Sequence, residues 1–108
     1  MNYSITYYNE AVQADILNLP PTLLARYLSL TKRMLMVGSN LGEPHTKAFG
    51  GGLFELRLKS SEGIGRVFYC TLIGQRIVML HSFVKKTQKT PSQELNIALQ
   101  RLKEIKNA

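Results

Sequence analysis

The sequence contains no tryptophan, one cysteine and half as many acidic as basic residues. Because Cys70 has no second cysteine to pair with, an internal disulfide is excluded, and its apolar surroundings predict a small buried side chain. No stretch approaches the roughly 18 consecutive apolar residues of a membrane span. Residues 1–9 also lack the charged start and apolar middle of a signal peptide. We therefore expect a cytoplasmic chain without a membrane partner.

Carboxylates are scarce where chemistry would need them. Glu55 and Glu62 are the only acidic residues between positions 44 and 93, so paired acids for acid–base catalysis are missing. The two histidines, His45 and His81, have no cysteine or carboxylate pair at a metal-ligand spacing. The residues that a serine triad or a two-metal site would require are therefore missing. We expect no metal site and no cofactor.

Positive charge is abundant instead. The 108 residues include 14 lysines and arginines against 7 acids, which gives a formal net charge of +7. A hydrophobic fraction of 44% predicts a folded chain, and the length predicts a single domain over residues 1–108. The basic excess favours an acidic partner, which could be a nucleic acid, an anionic membrane surface or an acidic protein.

Residues 53–90 are the most informative stretch. Alternation over 53–59 and apolar runs over 64–73 and 77–84 predict three strands, and the short turns between them favour an antiparallel meander. The stretch holds seven basic residues and two acidic ones. The sheet is therefore the expected binding surface for a polyanion.

The flanking segments predict helices. Asn9 is a suitable N-cap for a helix over 10–18 that follows an edge strand at 3–8, and a second helix is expected over 22–37, with Pro21 in its first turn and Gly38 at its end. Its apolar positions recur at helical spacing: Leu24, Tyr27, Leu28, Met34 and Leu35.

Residues 39–52 resemble a loop, and their glycine triplet lacks the spacing of a phosphate-binding loop. Thr90 as N-cap, Pro91 and Gln93 predict the start of a C-terminal helix. Its apolar stripe comprises Leu95, Ala98, Leu99, Leu102 and Ile105. The fold class is then α+β, with an N-terminal strand, a helical hairpin, a mostly antiparallel sheet and a C-terminal helix, the helices covering one face of the sheet.

Strand periodicity places Phe54, Leu56 and Leu58 under the helices and Glu55, Arg57 and Lys59 on an open face. Arg66 interrupts an apolar strand, which requires either a solvated cleft or an internal ion pair, most simply with Glu55.

Four further side chains end or interrupt the last two strands. Lys85 and Lys86 point to opposite faces, and crowding with the arginines would lower the pKa of a lysine. His81 is either a satisfied core residue or a catalyst. Tyr69 has the opposite parity from Arg66, so both share a cleft only if a bulge intervenes.

Three blocks of sequence resemble a known family. Gly-Leu-Phe-Glu-Leu-Arg at 52–57, Gly-Arg-Val-Phe-Tyr at 65–69 and Leu-His-Ser-Phe-Val-Lys-Lys-Thr-Gln-Lys-Thr-Pro at 80–91 closely resemble the phage-derived HigB-like branch of the RelE/ParE toxin superfamily. The last block is the most specific. The spacing of the blocks and the preceding hairpin also match, so the resemblance spans nearly the whole chain.

The resemblance implies a RelE-like fold and the toxin of a type II toxin–antitoxin pair. Such toxins are ribosome-dependent, metal-free mRNA endonucleases that act in the ribosomal A site and inhibit translation. The ribose 2′-OH attacks the adjacent phosphate and leaves a cyclic phosphate. The implied partner is a helix-turn-helix, HigA-like antitoxin that forms a hetero-oligomer with the toxin.

The resemblance also implies the site residues. Arg57, Arg66 and Lys86 match the family's basic catalytic positions, with Lys85 beside them and with His81 and Tyr69 as secondary catalytic candidates. The remaining basic residues of the stretch are expected to bind RNA: Lys59, Arg76 and Lys89. The chain departs from the best-known RelE proteins in having Glu55 where they have a basic residue, and in lacking a tyrosine after the last strand.

Two other functions remain open at this stage. The first is a ParE-like gyrase inhibitor, which has the same fold without nuclease chemistry. The arginine and lysine cluster argues against it, because a gyrase inhibitor needs no group directed at a phosphate. The second is a non-catalytic nucleic-acid-binding module whose cations only hold phosphates, and it predicts a steep salt dependence without any cleaved product.

Overall fold

The structure is a computed structural model that describes residues 2–85 and 90–107. Within these residues the secondary-structure elements follow one another as β1 (Ser4–Tyr7), α1 (Glu10–Leu17), α2 (Pro21–Val37), β2 (Thr46–Gly50), β3 (Leu53–Ser60), β4 (Gly63–Leu72), β5 (Arg76–Lys85) and α3 (Ser92–Lys106). The predicted α+β class and the predicted helices and strands are confirmed, and β2 is an addition to them.

The strands form one sheet in the order β1-β5-β4-β3-β2. The β3-β4-β5 meander is antiparallel throughout, and β1 lies at one edge, parallel to β5. The mostly antiparallel sheet and the N-terminal edge strand were both expected from the sequence. Of the described helices, none has both the length and the apolarity to pass through a lipid bilayer.

The prediction of a loop over residues 39–52 holds for residues 39–45 and is wrong for Thr46–Gly50, which pairs with β3 as an antiparallel hairpin. Within the glycine triplet, Gly50 ends β2 and pairs with Leu53, and Gly51 and Gly52 form the turn of the hairpin. Gly50, Gly51 and Gly52 have φ angles of 85°, 64° and 92°, a region that glycine adopts without strain. The triplet therefore reverses the chain where the sequence suggested a lead into β3.

The ends of the helices follow the predicted chemistry at α1 and α2. The Asn9 side chain accepts a hydrogen bond from Val12 N at 2.8 Å, as an N-cap does. Gly38 follows α2 with a φ of 113°, and its N–H donates to Met34 O. At α3 the predicted cap is wrong: Pro91 occupies the N-cap position, and the Thr90 hydroxyl donates instead to Glu55.

The hairpin of α1 and α2 covers one face of the sheet, which we call the hairpin face. Its core joins Ile16, Leu23 and Tyr27 to Leu56 and Val67 of the sheet. The buried face of α2 differs slightly from the predicted apolar stripe. Tyr27 is buried as expected, whereas Leu28 is 53% exposed. The buried residues of α2 are Leu23, Tyr27, Leu30, Thr31 and Met34, a set that also recurs at helical spacing.

Helix α3 covers part of the opposite face, which we call the α3 face. Ala98 and Leu102 pack there against Leu53 and Phe68, whereas Leu99 of the predicted stripe is exposed. The expectation that all helices share one face is therefore wrong. The buried run over 65–70 in β4 explains this, since a strand buried on both faces shows no alternation.

Candidate functional site

Two arginines stand side by side on the α3 face, where α3 does not reach. Arg57 of β3 and Arg66 of β4 are direct partners in the antiparallel register, and such partners project from the same face. Both line a cavity of about 310 Å³. The other residues of its wall are Arg26, Pro44, His45, Lys59 and Ile64. The two predicted arginines therefore converge on one cationic cavity.

A buried carboxylate lies behind the arginines. Glu55 is 1% exposed, and its Oε1 lies 3.3 Å from Arg66 Nε and 3.4 Å from Arg57 Nε. Its Oε2 accepts a hydrogen bond from the Thr90 hydroxyl at 2.8 Å. The internal Arg66–Glu55 ion pair weighed from the sequence is therefore present, and Glu55 also bridges the two guanidinium groups.

The carboxylates do not neutralise the cavity. Glu43 is the second acid in contact, with Oε1 3.5 Å from Arg57 Nη1, and its side chain is 70% exposed. The cavity wall itself carries four cationic side chains, from Arg26, Arg57, Lys59 and Arg66. A positive excess remains to attract an anion.

Arg66 retains hydrogen-bonding capacity. Its Nη1 donates to Gly65 O at 3.3 Å. Within the described part of the chain, the buried Nε has no hydrogen-bond partner, because its contact with Glu55 has the distance of an ion pair without the alignment of a hydrogen bond. Burial lowers the pKa of Arg66, Glu55 opposes that shift and Arg57 adds to it. A buried donor without a hydrogen-bond partner is unfavourable, so the arrangement around Arg66 Nε costs stability.

Lys85 ends β5 on the same face. It pairs with Ile64, and the neighbouring pair on that face is Arg66 with Phe83. Lys85 is 6% exposed. Burial lowers its pKa most, and the positive charges of Arg66, Arg57 and Lys47 lower it further against the opposing effect of Glu55. Crowding by cations was the expected cause, and burial proves to be the larger one. Lys86 and Lys89 lie outside the described residues.

His81 is placed by a β-bulge. The register shifts so that Phe68 pairs with His81 while Tyr69 pairs with Met79, which leaves Leu80 as the extra residue. Met79 therefore points into the hairpin face, and His81 turns to the α3 face. Its Nε2 lies 3.1 Å from Glu94 Oε2 of α3, and the residue does not line the arginine cavity.

Tyr69 lies away from the arginines, in the core of the hairpin face. It is fully buried, its ring stacks on Phe54 with centroids 5.6 Å apart, and its hydroxyl donates to Ser39 O. Burial raises the pKa of Tyr69 well above its usual range. The bulge in β5 does not change the parity of β4, so Tyr69 and Arg66 remain on opposite faces.

Lys59 and Arg76, the two predicted RNA-binding residues that the structure describes, lie in different places. Lys59 lines the cavity with Arg57. Arg76 lies at the other end of β5 from Lys85 and lines a different cavity, with Tyr7, Leu72 and Ile105 among its walls. The structure therefore brings Lys59 to the arginines and leaves Arg76 apart from them.

Sequence reasoning missed His45 and Arg26. His45 lies directly before β2, and its backbone is fixed on both sides: its N–H donates to Gly42 O, and its C=O accepts from Arg57 N at 2.8 Å. A strand at Thr46–Gly50 would have placed His45 opposite Arg57, so the missed hairpin concealed this residue. Arg26 reaches the cavity from α2, and strand periodicity gives no signal for it.

Across the residues that the structure describes, no group of three or more His, Cys, Asp or Glu is placed to hold a metal ion. Cys70 is buried, and burial raises the pKa of its thiol. The chemistry available at the cavity is that of guanidinium, imidazole and ammonium groups.

Comparison with known proteins identifies the family. No curated protein matches the chain. A family model described as phage-derived protein Gp49-like (DUF891) matches residues 14–103. The match runs from α1 into α3 and includes His45, both arginines and Lys85. The chain therefore belongs to the Gp49-like family of phage-derived proteins, a family of the RelE toxin type.

Proposed function

We propose that the chain is the toxin of a type II toxin–antitoxin pair and a HigB-like, metal-free mRNA endonuclease that acts in the ribosomal A site and inhibits translation. One observation carries the proposal: Arg57 and Arg66, from paired strands, line one cationic cavity together with His45. Membership in a family of the RelE toxin type supports it.

The proposed reaction is an internal transesterification. The ribose 2′-oxygen attacks the adjacent phosphorus, the bond from phosphorus to the 5′-oxygen breaks, and the products are a cyclic phosphate and a 5′-hydroxyl. Negative charge develops on the non-bridging oxygens in the transition state. Guanidinium groups bind such oxygens through charge-assisted hydrogen bonds, so Arg57 and Arg66 stabilise that charge.

Two proton transfers accompany the reaction. Imidazole exchanges protons at neutral pH, and His45 is in the cavity, so we assign it the removal of the 2′-OH proton. The leaving 5′-oxygen requires a proton donor. Two described lysines lie at this end of the sheet: Lys59, which lines the cavity, and Lys85, which does not. We assign the donation to Lys85, because its lowered pKa makes its proton easier to transfer. Lys86 is the alternative donor.

Replacement of His45 tests its role. His45→Asn keeps a polar side chain of similar size and removes the proton acceptor. We expect cleavage to slow by about 10²-fold, a typical contribution of general acid–base catalysis, with RNA affinity changed little. An unchanged rate would remove His45 from the mechanism and leave the arginines in place.

The proposed partner is a HigA-like antitoxin with a helix-turn-helix domain, which binds the toxin in the cytoplasm as a hetero-oligomer. The positive excess of the cavity and the net charge of +7 favour an acidic or wrapping partner. A short open reading frame next to this one that encodes a helix-turn-helix pattern and suppresses toxicity would support the pairing.

The deciding experiment is expression in growing cells with transcriptome-wide mapping of mRNA ends. Cuts in translated messages, in a fixed phase with the codons, are the expected result. DNA-damage signalling without mRNA cuts would replace the proposal with gyrase inhibition. RNA binding without either effect would leave a non-catalytic module.

A further inference from the structure

We infer that the RNA-binding surface continues from the arginine cavity into a second groove, which holds the ribose-phosphate backbone of the neighbouring nucleotide. The groove has a volume of about 300 Å³ and lies between α2 and the β3–β4 turn. It is lined by Thr22, Ala25, Arg26, Ser29, Lys59 and Ser60. The inference rests on the proposed function in taking RNA as the ligand.

The two cavities adjoin each other at Arg26 and Lys59, which line both. Both side chains are exposed, one on α2 and one on β3. The pairing of β2 with β3 ends at Leu56, so the last residues of β3 form an open edge that a ligand can pass around. An RNA strand bound at Arg57 and Arg66 can therefore continue over this edge, where Arg26 and Lys59 supply positive charge.

The lining of the second groove suits a sugar-phosphate backbone. Its walls carry three hydroxyl groups, of which those of Thr22 and Ser60 already hydrogen-bond within the protein. The groups it offers a ligand are the cations of Arg26 and Lys59 and the Ser29 hydroxyl, and its one apolar residue is Ala25. Phosphate oxygens are bound by cations and hydroxyls of this kind. The arginine cavity differs in having Pro44 and Ile64 in its wall, which gives a base an apolar contact.

The attraction for phosphate comes from Arg26 and Lys59 and not from the start of α2. Glu62 Oε1 already accepts hydrogen bonds from Thr22 N at 2.8 Å and from the Thr22 hydroxyl at 2.6 Å. The Glu62 carboxylate therefore already occupies the N-terminus of α2, where a phosphate would otherwise bind. That carboxylate is held by Thr22 and does not line the groove.

A substitution confined to the second groove tests the inference. Ser29 is exposed on α2 and lines only this groove, so Ser29→Glu adds a negative charge there. Met36→Glu is the matched control, because Met36 is 74% exposed on the same helix and lines neither cavity. The probes are 2′-O-methyl oligonucleotides of three and six nucleotides, which bind without a 2′-OH that could attack.

The readout is the affinity gained when the probe is lengthened. We expect Ser29→Glu to reduce that gain about tenfold, the scale of one hydrogen bond to a charged group, and Met36→Glu to leave it as in the unmodified chain. Equal gains in all three proteins, or equal losses in both variants, would overturn the inference.

The shared arginine gives a second readout. For Arg26→Gln we expect the slope of log affinity against log salt to become shallower by about 0.7 with the longer probe, the value for one phosphate contact on a single strand. Arg33→Gln removes the same charge from an exposed position two turns along α2, outside both cavities, and should keep the slope. Equal changes in both variants would indicate net charge alone and overturn the groove.

These tests are independent of catalysis because the methylated probes cannot be cleaved. If the unmodified chain cuts no mRNA in cells and the length effect is lost with Ser29→Glu, the nuclease proposal fails and the groove stands. If mRNA is cut and the length effect survives Ser29→Glu, the groove fails and the nuclease stands.

Discussion

The two faces of the sheet are equally buried at its centre and differ in chemistry. On the hairpin face, Leu56, Leu58 and Val67 are completely buried and apolar. On the α3 face, Glu55 and Arg66 of the same two strands are 1% and 4% exposed. At these positions of β3 and β4 the hairpin face is an apolar core, whereas the α3 face buries charged side chains.

Stability does not explain the charged face. Removing charges from water is unfavourable even when they are paired, and apolar residues of similar volume often give equal or greater stability. Here the pairing is also incomplete, since Arg66 Nε has no hydrogen-bond partner in the described part of the chain. We therefore take the apolar cores on both faces to supply the folding free energy, and the charged part of the α3 face around Glu55 and Arg66 to serve the proposed chemistry at the expense of stability.

The strongest test of this difference is Arg66→Ala. The change removes one of the two groups that stabilise the proposed transition-state charge, and the loss of one such donor slows a reaction by about 10² to 10³-fold. We expect growth arrest to disappear while circular dichroism and cooperative melting show a folded protein. Arg33→Ala, at an exposed position outside the cavity, is the control and should remain toxic.

Full toxicity of Arg66→Ala would remove the arginine pair from the mechanism. A variant that fails to fold would instead show that Arg66 supports the core, and Arg66→Lys then separates the two roles. Lysine keeps the charge beside Glu55 but cannot reproduce the guanidinium geometry, so it should restore folding and leave most of the activity lost.

The hairpin face predicts the opposite behaviour. Leu56→Ala removes a completely buried side chain and should lower the free energy of unfolding by about 3 kcal/mol, within the usual range for such cavities. Urea unfolding measures this loss. Cleavage per folded molecule should stay near that of the unmodified chain, since no cavity-lining residue changes. Loss of activity in protein that remains folded would contradict the separation of the two faces.

The sequence predicted the apolar face more completely than the charged one. Hydrophobic periodicity and the capping residues located three helices and four strands, because burial and local hydrogen bonds act over a few residues. Periodicity placed Arg57 on an open face and required a cleft or an ion pair for Arg66, and the register of the structure pairs the two arginines directly.

The rest of the site depends on contacts between distant segments. His45 joins Arg57 only through the β2–β3 hairpin, and Arg26 joins the cavity only because α2 packs over the sheet. His81 turned to the α3 face because a bulge added one residue to β5. Strand periodicity assumes a regular register, so it could not anticipate that shift.

Glu55→Gln tests how the charged face is held together. Glutamine keeps an acceptor for the Thr90 hydroxyl and removes the charge that bridges Arg57 and Arg66. We expect the free energy of unfolding to fall by roughly 2 kcal/mol, the scale of a hydrogen bond to a charged group. RNA affinity should rise because an opposing charge is gone, and kcat should fall because the guanidinium groups lose their common anchor.

Glu43→Gln is the matched control for Glu55→Gln. It also removes a carboxylate near Arg57, but that side chain is 70% exposed, and exposed ion pairs contribute little to stability. Unchanged kcat in Glu55→Gln would show that Glu55 only supports the fold and does not position the arginines.

The smallest effect concerns the pH dependence of stability. Because burial and the neighbouring arginine lower the pKa of Lys85 below 10.5 in the folded protein, the unfolded chain binds its proton more tightly. The free energy of unfolding should therefore rise with pH between the folded pKa of Lys85 and 10.5, and protonation of Lys85 at lower pH should oppose folding.

Lys85→Met isolates this contribution. Tyr27 and Tyr69 have pKa values raised by burial, so their ionisation in the unfolded chain lowers stability above pH 10 in both proteins and cancels in the difference. Urea unfolding from pH 7 to pH 10 should show a steeper rise for the unmodified chain than for Lys85→Met. Parallel curves would mean that Lys85 titrates alike in both states, and the proposed protonation of the leaving oxygen would then pass from Lys85 to the alternative donor, Lys86.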